Sequence, residues 1–396
     1  MNRSLHALAV LALGASASVA VAQAPDWSAF KELPAPSGRF AVGTFTRSLV
    51  DSTRATSRHI LARSLTVQIW YPSRGGGAEL RAPYLEQALL DSMVERRYLE
   101  LTEQEMRGWA SIRLSARRNA DPATAPSKTG WPVIIFSHGV GVARANYSAL
   151  VQELASHGYI VLAIDHPIGG FALDPNGRLL TPGIDSLHYT GEPLAKLVLD
   201  WTGDAAFVLR SFGARIAPSA GRQSALVLDT ARVGMLGHSL GGAAALQACH
   251  TLETVRACVD MDGDVFGEVE ELGVGKPFLI LLSEPDHGRR PPPRDSAESA
   301  QRAAFAKMGR ERDSSWAAIR AFTPKVESYV IKLLGTGHFS FSDAPFQIQR
   351  QLRHVGATLA PLAMHERIAG SIESFFDHVL LGQPLRVLGS DAVPVP

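Results

Sequence analysis

The chain has little of several features that would place it in a functional class at once. Its formal net charge is only +1, so its composition gives no reason to expect a nucleic acid or an anionic membrane as a partner. Its 13 histidines are scattered. Neither a His-Glu-x-x-His nor a paired Cys-x-x-Cys pattern occurs, which argues against a zinc site. We therefore predict no bound metal and no nucleic-acid partner.

Cysteine is also scarce, since the chain has only 2. Cys249 and Cys258 are close enough in sequence to form a disulfide in an oxidising compartment. Two separately buried thiols explain them equally well, because a free cysteine packs as a small apolar residue. The sequence leaves these two alternatives open.

An apolar run that resembles a targeting segment occurs at the N-terminus. Met1–Arg3 is a short basic start, Leu5–Leu13 is apolar, and Ala20–Ala22 fits a small-x-small cleavage site. The pattern predicts a secretory signal peptide over residues 1–22 and a mature domain over residues 23–396. An uncleaved anchor is the alternative, although the run is short for a membrane span. We expect an exported protein, periplasmic or secreted, without a membrane segment after signal removal.

Short apolar segments alternate with helical patterns along most of the chain. Apolar residues make up 46% of the chain and charged residues 19%, which is ordinary for a globular protein. Uninterrupted apolar strands between helices predict a parallel sheet covered on both faces, and hence an α/β fold. The predicted strands are 40–45, 65–71, 133–136, 159–164, 233–236, 257–261, 278–282 and 329–334.

Two stretches interrupt this alternation. Residues 84–118 carry apolar residues at helical spacing among many charges, which predicts one or two surface helices. Residues 285–321 begin with a Pro-Pro-Pro interruption and become helical later. We interpret both as helical insertions in a single domain.

A Gly-x-Ser-x-Gly sequence occupies residues 237–241, with Ser239 at its centre. A predicted strand ends before it and a predicted helix begins after it. Such a sharp turn needs its glycines, because a Cβ there would collide with the facing strand or helix. It presents the serine hydroxyl at the positive end of the helix. We predict that Ser239 is a nucleophile; the alternative is a glycine-rich helix start with an incidental serine.

A serine nucleophile needs a base and an acid that holds the base. In this architecture the chain order is Ser, Asp or Glu, then His, each at the end of a strand. His338 follows the last predicted strand in a glycine-bearing loop, so we predict that it is the base. For the acid, Asp262 and Asp286 both follow predicted strands, and position alone leaves the choice between them open.

An oxyanion hole needs two convergent backbone N–H groups. One comes from the residue after the nucleophile, Leu240, and the other from the loop after an earlier strand. The sequence Ser-His-Gly-Val-Gly at residues 137–141 is that loop, so the Val140 N–H is the predicted second donor. A dinucleotide-binding fingerprint is the competing interpretation, but Arg144 stands where its third glycine is needed.

These motifs together resemble the α/β-hydrolase family of platelet-activating factor acetylhydrolases, in particular its exported bacterial members. The resemblance rests on residues 137–141, with Asn-Tyr-Ser-Ala at 146–149 and Leu-Ala-Ser-His-Gly-Tyr at 154–159 beyond them, on Gly-His-Ser-Leu-Gly-Gly at 237–242 and on Gly-Thr-Gly-His at 335–338. It extends from about Trp131 to His338, with weaker support from the predicted strand near residue 65. Neither predicted insertion matches the family pattern.

The resemblance implies an α/β-hydrolase fold with a mostly parallel eight-stranded sheet, and it implies no cofactor. In the family the acid follows a Leu-Asp or Met-Asp step after the sixth strand. Met261-Asp262 matches that step, which favours Asp262 over Asp286. The family's oxyanion donors map onto Val140 and Leu240. The implied substrates are short or oxidised acyl groups at the sn-2 position of phospholipids, together with simple esters.

We therefore expect a serine carboxylic-ester hydrolase that acts through an acyl-enzyme on a small-molecule or lipid ester. One alternative is a general esterase or a polyester or cutin-like hydrolase with the same machinery, although the insertions favour a covered cleft over an open one. The other is a non-catalytic binding protein on a hydrolase scaffold. Such proteins usually lack the serine or the histidine, whereas this chain has both.

Overall fold

The fold is built on one large sheet. The computed structural model describes residues 32–54, 62–75, 77, 79–95, 102–174, 176–180, 191–218, 225–284, 325–347 and 357–386, with isolated residues at 296, 299, 303 and 393–394. The predicted signal peptide and most of the predicted insertion at 285–321 lie outside the described residues.

The described residues contain twelve strands. In chain order they are β1 (Ala41–Asp51), β2 (Arg63–Ser73), β3 (Arg81–Pro83), β4 (Arg113–Arg118), β5 (Trp131–Ser137), β6 (Ile160–Asp165), β7 (Arg215–Ile216), β8 (Leu226–His238), β9 (Val255–Met261), β10 (Phe278–Ser283), β11 (Ser328–Leu333) and β12 (Val393–Pro394). They are hydrogen-bonded in the order β12-β11-β10-β9-β8-β5-β6-β2-β1-β4-β3, and β7 pairs with β8 off this path.

The centre of the sheet is parallel, as predicted. Strands β5, β6, β8, β9, β10 and β11 run in one direction. Strand β2 is antiparallel to both β6 and β1. Because the six parallel strands end at the same edge, their C-terminal loops converge there, which is where parallel α/β sheets place ligands.

The expected number of eight strands is too low. Eight strands (β1, β2, β5, β6 and β8 to β11) lie side by side at the centre and match the expectation, but β3, β4 and β12 extend the edges. Strands β3 and β12 have only three and two residues, too few for a periodic signal. In β4, buried Leu114 and Ala116 alternate with more exposed Arg113, Ser115 and Arg117. This stretch falls within the predicted helical insertion at 84–118. Its strand alternation covers only a few residues among arginines, so the sequence pattern does not reveal it.

Helices cover both faces of the sheet. They are α1 (Gln87–Glu95), α2 (Glu103–Ser111), α3 (Ser148–Ser156), α4 (Gly191–Phe212), α5 (Leu240–Thr251), α6 (Glu268–Leu272), α7 (Ala344–Gln347) and α8 (Pro361–Leu381). One or two helices were expected within residues 84–118, and the structure has two there, α1 and α2. Thr102 and Glu105 form a capping box that begins α2, which satisfies two of its free backbone N–H groups.

Each face of the sheet has its own apolar core, and β5 illustrates why its sequence is apolar throughout. Ile134 and Phe136 pack in the core beneath α3 and α8, whereas Val133 and Ile135 pack in the core beneath α4 and α5. Successive side chains of a strand point to opposite faces. A strand covered on both sides therefore buries every residue, and burying each large apolar side chain stabilises the fold by about 1.5–3 kcal/mol.

Cys249 and Cys258 form a disulfide with a Cα–Cα distance of 6.1 Å. Cys249 lies near the end of α5 and Cys258 lies in β9, so the bond joins two elements that lead to the candidate site. Among the described helices, none combines the length and the apolar character needed to cross a membrane.

Candidate active site

The turn between β8 and α5 holds Ser239 in an unusual backbone conformation. Its φ is 54° and its ψ is −124°, a combination that costs free energy in a residue with a Cβ. The two glycines of the motif are required by close packing. A Cβ on Gly237 would lie 2.0 Å from the Gly241 oxygen, and a Cβ on Gly241 would lie 2.3 Å from the Ser137 oxygen. The turn therefore has the geometry of a nucleophile elbow.

The backbone of this turn is anchored to the next strand. The Ser239 N–H donates to the Met261 carbonyl at 2.9 Å. Met261 is the last residue of β9, so Ser239 lies beside the start of the loop that carries Asp262. The Ser239 residue is itself partly exposed at the sheet edge, as a residue that meets a substrate must be.

Asp262 and His338 are directly bonded. The His338 Nδ1 and the Asp262 Oδ2 are 2.7 Å apart. Asp262 is 4% exposed, and the His338 side chain is 37% exposed. Because a carboxylate only accepts, the histidine proton is on Nδ1 and Nε2 is available as a base.

The Asp262 carboxylate is held in place by a second residue. The Ser283 N–H donates to Oδ1 and the Ser283 hydroxyl donates to Oδ2, both at 2.8 Å. Ser283 ends β10, so the carboxylate of one strand end is fixed by the neighbouring strand end. Asp262 itself has a φ of 54°, which turns the chain sharply after β9.

The loop that carries His338 follows β11 and needs its first glycine. Gly335 has a φ of +78°, and a Cβ there would lie 2.6 Å from Leu359 Cγ. The Gly335 N–H donates to Glu284 Oε2 at 2.8 Å. Glu284, the first residue after β10, thus fixes the start of this loop. Asp286, the alternative acid, lies outside the described residues.

The loop after β5 lies against the nucleophile turn. A Cβ on Gly139 would lie 3.3 Å from Ser239 Cβ, a tight contact, so the loop backbone packs closely against the turn. Val140 follows Gly139 in this loop, and Leu240 begins α5 immediately after Ser239. The two predicted oxyanion donors therefore belong to two segments that are in close contact beside Ser239.

Two buried polar side chains connect these segments, and neither was assigned a role from the sequence. The Gly139 N–H donates to the Tyr147 hydroxyl at 3.3 Å. The Tyr147 hydroxyl oxygen is 2.7 Å from His238 Nδ1, and His238 Nε2 is 3.0 Å from the His338 carbonyl oxygen. Because that carbonyl only accepts, His238 carries its proton on Nε2 and the Tyr147 hydroxyl donates to Nδ1. Burial lowers the pKa of His238 well below its ordinary value.

The sequence does place His238 at the site, since it immediately precedes Ser239 in the motif. Tyr147 belongs to the stretch after the oxyanion loop, but nothing in its spacing indicates a contact with His238. Its hydroxyl gains a role only because the segment Arg144–Tyr147 forms a 3-10 turn before α3. That turn returns Tyr147 beneath Gly139.

Known proteins share this fold and parts of this sequence. A family model described as platelet-activating factor acetylhydrolase, isoform II, matches residues 27–168. The probable 1-alkyl-2-acetylglycerophosphocholine esterase of Arthroderma benhamiae is 26% identical over 79% of this chain and 76% of that protein. The platelet-activating factor acetylhydrolase of Canis lupus familiaris is 25% identical over 56% of this chain and 51% of that protein, about half its length.

A solved structure extends the likeness to nearly the whole chain. The ferulic acid esterase from Streptomyces cinnamoneus superimposes with a TM-score of 0.70 and 25% identity, and the match covers 92% of this chain and 99% of that one. The fold and these relatives define the chain as an α/β-hydrolase of the carboxylic ester hydrolase class. Within that class it is similar to the platelet-activating factor acetylhydrolases, as the sequence motifs predict.

Proposed function

We propose that the chain hydrolyses carboxylic esters by a serine mechanism, with Ser239 as nucleophile, His338 as base and Asp262 as the acid that orients it. The observation that carries this proposal is the 2.7 Å contact between Asp262 Oδ2 and His338 Nδ1, beside the strained turn of Ser239. A carboxylate that accepts from Nδ1 leaves Nε2 free to take the serine proton.

The reaction proceeds in two halves. His338 Nε2 removes the Ser239 proton as Oγ attacks the ester carbonyl, and the tetrahedral intermediate collapses when the same proton passes to the leaving alcohol. A water molecule then gives a proton to His338 and attacks the acyl-enzyme. Collapse of the second intermediate releases the carboxylic acid and returns the proton to Ser239.

The negative oxygen of each intermediate is stabilised by the Val140 and Leu240 N–H groups. Such a preorganised donor typically contributes about 3 kcal/mol to the stability of the transition state. Leu240 is the first residue of α5, so its N–H is one of the free donors at the positive end of the helix.

The proposed substrates are short-chain acyl esters such as sn-2 acetyl phospholipids. Support comes from the names of the fungal and mammalian relatives, which act on 1-alkyl-2-acetylglycerophosphocholine or platelet-activating factor. A general esterase is the second candidate, and the likeness to the ferulic acid esterase favours it. The signal-peptide pattern at residues 1–22 supports an exported enzyme.

A panel of esters tests the substrate. We expect hydrolysis of p-nitrophenyl acetate and of a 2-acetyl phospholipid, with activity falling steeply from acetyl to palmitoyl esters. Cleavage of the simple esters without the phospholipid would favour the general esterase. Full activity in Ser239→Ala, or no activity on any ester, would contradict the serine mechanism and return attention to a binding role.

A further inference from the structure

A second Ser–His–Asp arrangement lies entirely inside the protein. Ser137 Oγ is 2.8 Å from His166 Nε2, and His166 Nδ1 is 2.8 Å from Asp204 Oδ2. All three residues are 0% exposed. They come from the end of β5, the residue after β6 and the middle of α4. We call these three residues the buried array.

Asp204 is a carboxylate in this array. Burial alone would raise its pKa, but hydrogen bonds from His166 and Arg63 lower the pKa to about 2. Arg63 donates to both oxygens, from Nε at 2.5 Å and from Nη2 at 2.8 Å. Arg54 Nη2 donates to Oδ1 at 2.7 Å. The charge is therefore paired and its position is fixed from two sides.

His166 is the neutral partner. Burial lowers its pKa, and the ring stacks on Trp201 with centroids 4.3 Å apart and planes inclined by 5°. Because Asp204 accepts from Nδ1–H, Nε2 must accept, and the Ser137 hydroxyl donates to it. The array thus fixes both the ring of His166 and the strand end at Ser137.

The array reaches the oxyanion loop through His138. The backbone N–H of His166 donates to His138 Nε2 at 3.1 Å. The single ring proton of neutral His138 must then be on Nδ1, which donates to the Gly139 carbonyl at 2.7 Å. Burial lowers the pKa of His138 well below its ordinary value, which keeps the Nε2 lone pair available.

The Gly139 carbonyl shares a peptide plane with the Val140 N–H. In a planar trans peptide the C=O and the N–H point in opposite directions, so a bond that fixes one also aims the other. Contacts with residues 169 and 170 further restrict the conformation of this loop. A Cβ on Gly170 would lie 2.2 Å from His138 Cε1, and the Gly141 N–H donates to the Gly169 carbonyl at 2.7 Å.

We propose that His138 is a positioning residue for the oxyanion hole and that the buried array sets its proton. The array holds His166, the His166 N–H fixes the His138 tautomer, and His138 Nδ1–H aims the Val140 N–H by holding the Gly139 carbonyl. This inference rests on the proposed function, because it assigns Val140 as an oxyanion donor. It gives the buried array a role that involves no contact with substrate.

A matched pair of variants tests the role of His138. Asn and Leu have the same branched shape, but only Asn carries an N–H close to the position of Nδ1. We expect His138→Leu to lower kcat for p-nitrophenyl acetate by about 10- to 100-fold with KM within about threefold, because a mis-aimed donor acts on the transition state. His138→Asn should recover at least about a third of that loss on a logarithmic scale.

A readout specific to the oxyanion accompanies the kinetics. The inhibition constant of a trifluoromethyl ketone, which forms an oxyanion adduct with the serine, should rise in His138→Leu in proportion to the loss in kcat/KM. The control is His250→Leu. His250 Nδ1 also contacts a backbone carbonyl, that of Gly273 at 2.9 Å, but it lies in the last turn of α5, far from Ser239, so its kcat should stay within about threefold.

A double-mutant cycle tests the array. His166→Asn keeps a donor for Asp204 but loses the acceptor for Ser137. If the array acts through His138, His166→Asn should lower kcat in the wild type and have little further effect in His138→Leu, because coupled residues are non-additive. Additive losses would overturn the proposed link.

The outcomes separate this inference from the serine mechanism. An unchanged kcat in His138→Leu, or no recovery in His138→Asn, in an enzyme that Ser239→Ala inactivates, overturns the role of His138 alone. Activity that survives Ser239→Ala overturns the proposed function first. If kcat falls in step with the melting temperature in His138→Asn, His138→Leu and His250→Leu alike, the positioning role of His138 is also overturned, since its role is then only structural.

Discussion

The described residues contain two Ser–His–Asp sets, and the two sets differ in their exposure to solvent. In the candidate active site the His338 side chain is 37% exposed and Ser239 is partly exposed on a strained turn. In the buried array Ser137, His166 and Asp204 are all 0% exposed, and Ser137 continues a regular strand. The same three residue types therefore form a candidate catalytic site at the sheet edge and a structural support in the interior.

The difference also lies in what each histidine bonds. His166 is hydrogen-bonded through both ring nitrogens, to Ser137 and to Asp204. Neither nitrogen is therefore available to act as a base towards a substrate. The backbone N–H of His166 is committed as well, to His138. A triad geometry alone is thus not evidence of catalysis; the serine must stand where a substrate can reach it.

Replacing each serine gives the largest expected contrast. Ser239→Ala should lower kcat for p-nitrophenyl acetate by about 10⁵-fold or more, because no nucleophile remains. Ser137→Ala should lower it by less than about tenfold, since it removes one buried hydrogen bond from a supporting residue. The measurement is steady-state kinetics on both purified variants, and equal losses would mean that the two serines are not distinct in role.

Replacing each aspartate separates catalysis from stability. Asp262→Asn should lower kcat by about 10⁴-fold while the fold persists, because the amide favours the wrong tautomer of His338. Asp204→Asn should instead lower the free energy of unfolding by about 3–5 kcal/mol, because Arg63, which is 2% exposed, loses its counter-charge. Urea unfolding with parallel kinetics distinguishes them. A stable, fully active Asp204→Asn protein would contradict the assigned ion pair.

Tyr147→Phe tests the contact between the oxyanion loop and His238. Loss of the hydroxyl removes the acceptor of the Gly139 N–H and the donor to His238 Nδ1. We expect kcat to fall by about three- to tenfold and the free energy of unfolding to fall by about 1–2 kcal/mol. The matched control is Tyr329→Phe, whose hydroxyl bonds Glu327 near the surface. Similar kinetics in both variants would contradict a role for Tyr147 in the site.

In His157, hydrogen bonding outweighs desolvation in setting the pKa, the opposite of the balance in His166, and we expect its replacement to have the smallest effect. His157 lies between Glu153 and Glu373, with ring nitrogens 3.0 Å and 2.8 Å from their oxygens. Hydrogen bonds that His157 donates to Glu153 and Glu373 outweigh desolvation and raise its pKa to about 9, whereas burial lowers the pKa of His166. Ser37 also bonds Glu153, and Arg386 also faces Glu373. The two carboxylates thus hold His157 protonated.

The pH dependence of stability follows from that shift. A pKa raised above the unfolded value of about 6.5 means that the stabilisation is complete below pH 6.5 and is lost as the pH rises towards 9. We expect wild-type stability to fall by about 1–2 kcal/mol over that range. His157→Gln should show a flatter profile in urea unfolding at several pH values. An unchanged slope in His157→Gln would contradict the charged state.

The sequence predicted the elements whose signal is local. The parallel strands are short apolar runs, and the Gly-x-Ser-x-Gly turn carries its own packing requirement, so the sheet and the position of Ser239 followed from neighbouring residues. The choice of Asp262 over Asp286 rested on the family resemblance, and Asp262 lies in contact with His338. The roles of these residues remain predictions that the variants above test.

The buried array could not be predicted from local sequence patterns. The buried array joins residues 137, 166 and 204, and Arg63 adds a fourth distant segment. No spacing along the chain marks such a network, because its members meet only after β2, β5, β6 and α4 have packed. The edge strands β3 and β12 were missed for a different reason, since two or three residues show no period.

The disulfide has a consequence for the order of events during maturation. Cys249 of α5 and Cys258 of β9 are both 0% exposed, so a soluble oxidant cannot reach their sulfur atoms once the core has closed. Oxidation must therefore precede or accompany the docking of α5 on β9. Because α5 begins after the predicted nucleophile, Ser239, and β9 ends before the predicted acid, Asp262, this bond ties together the two elements that carry these residues.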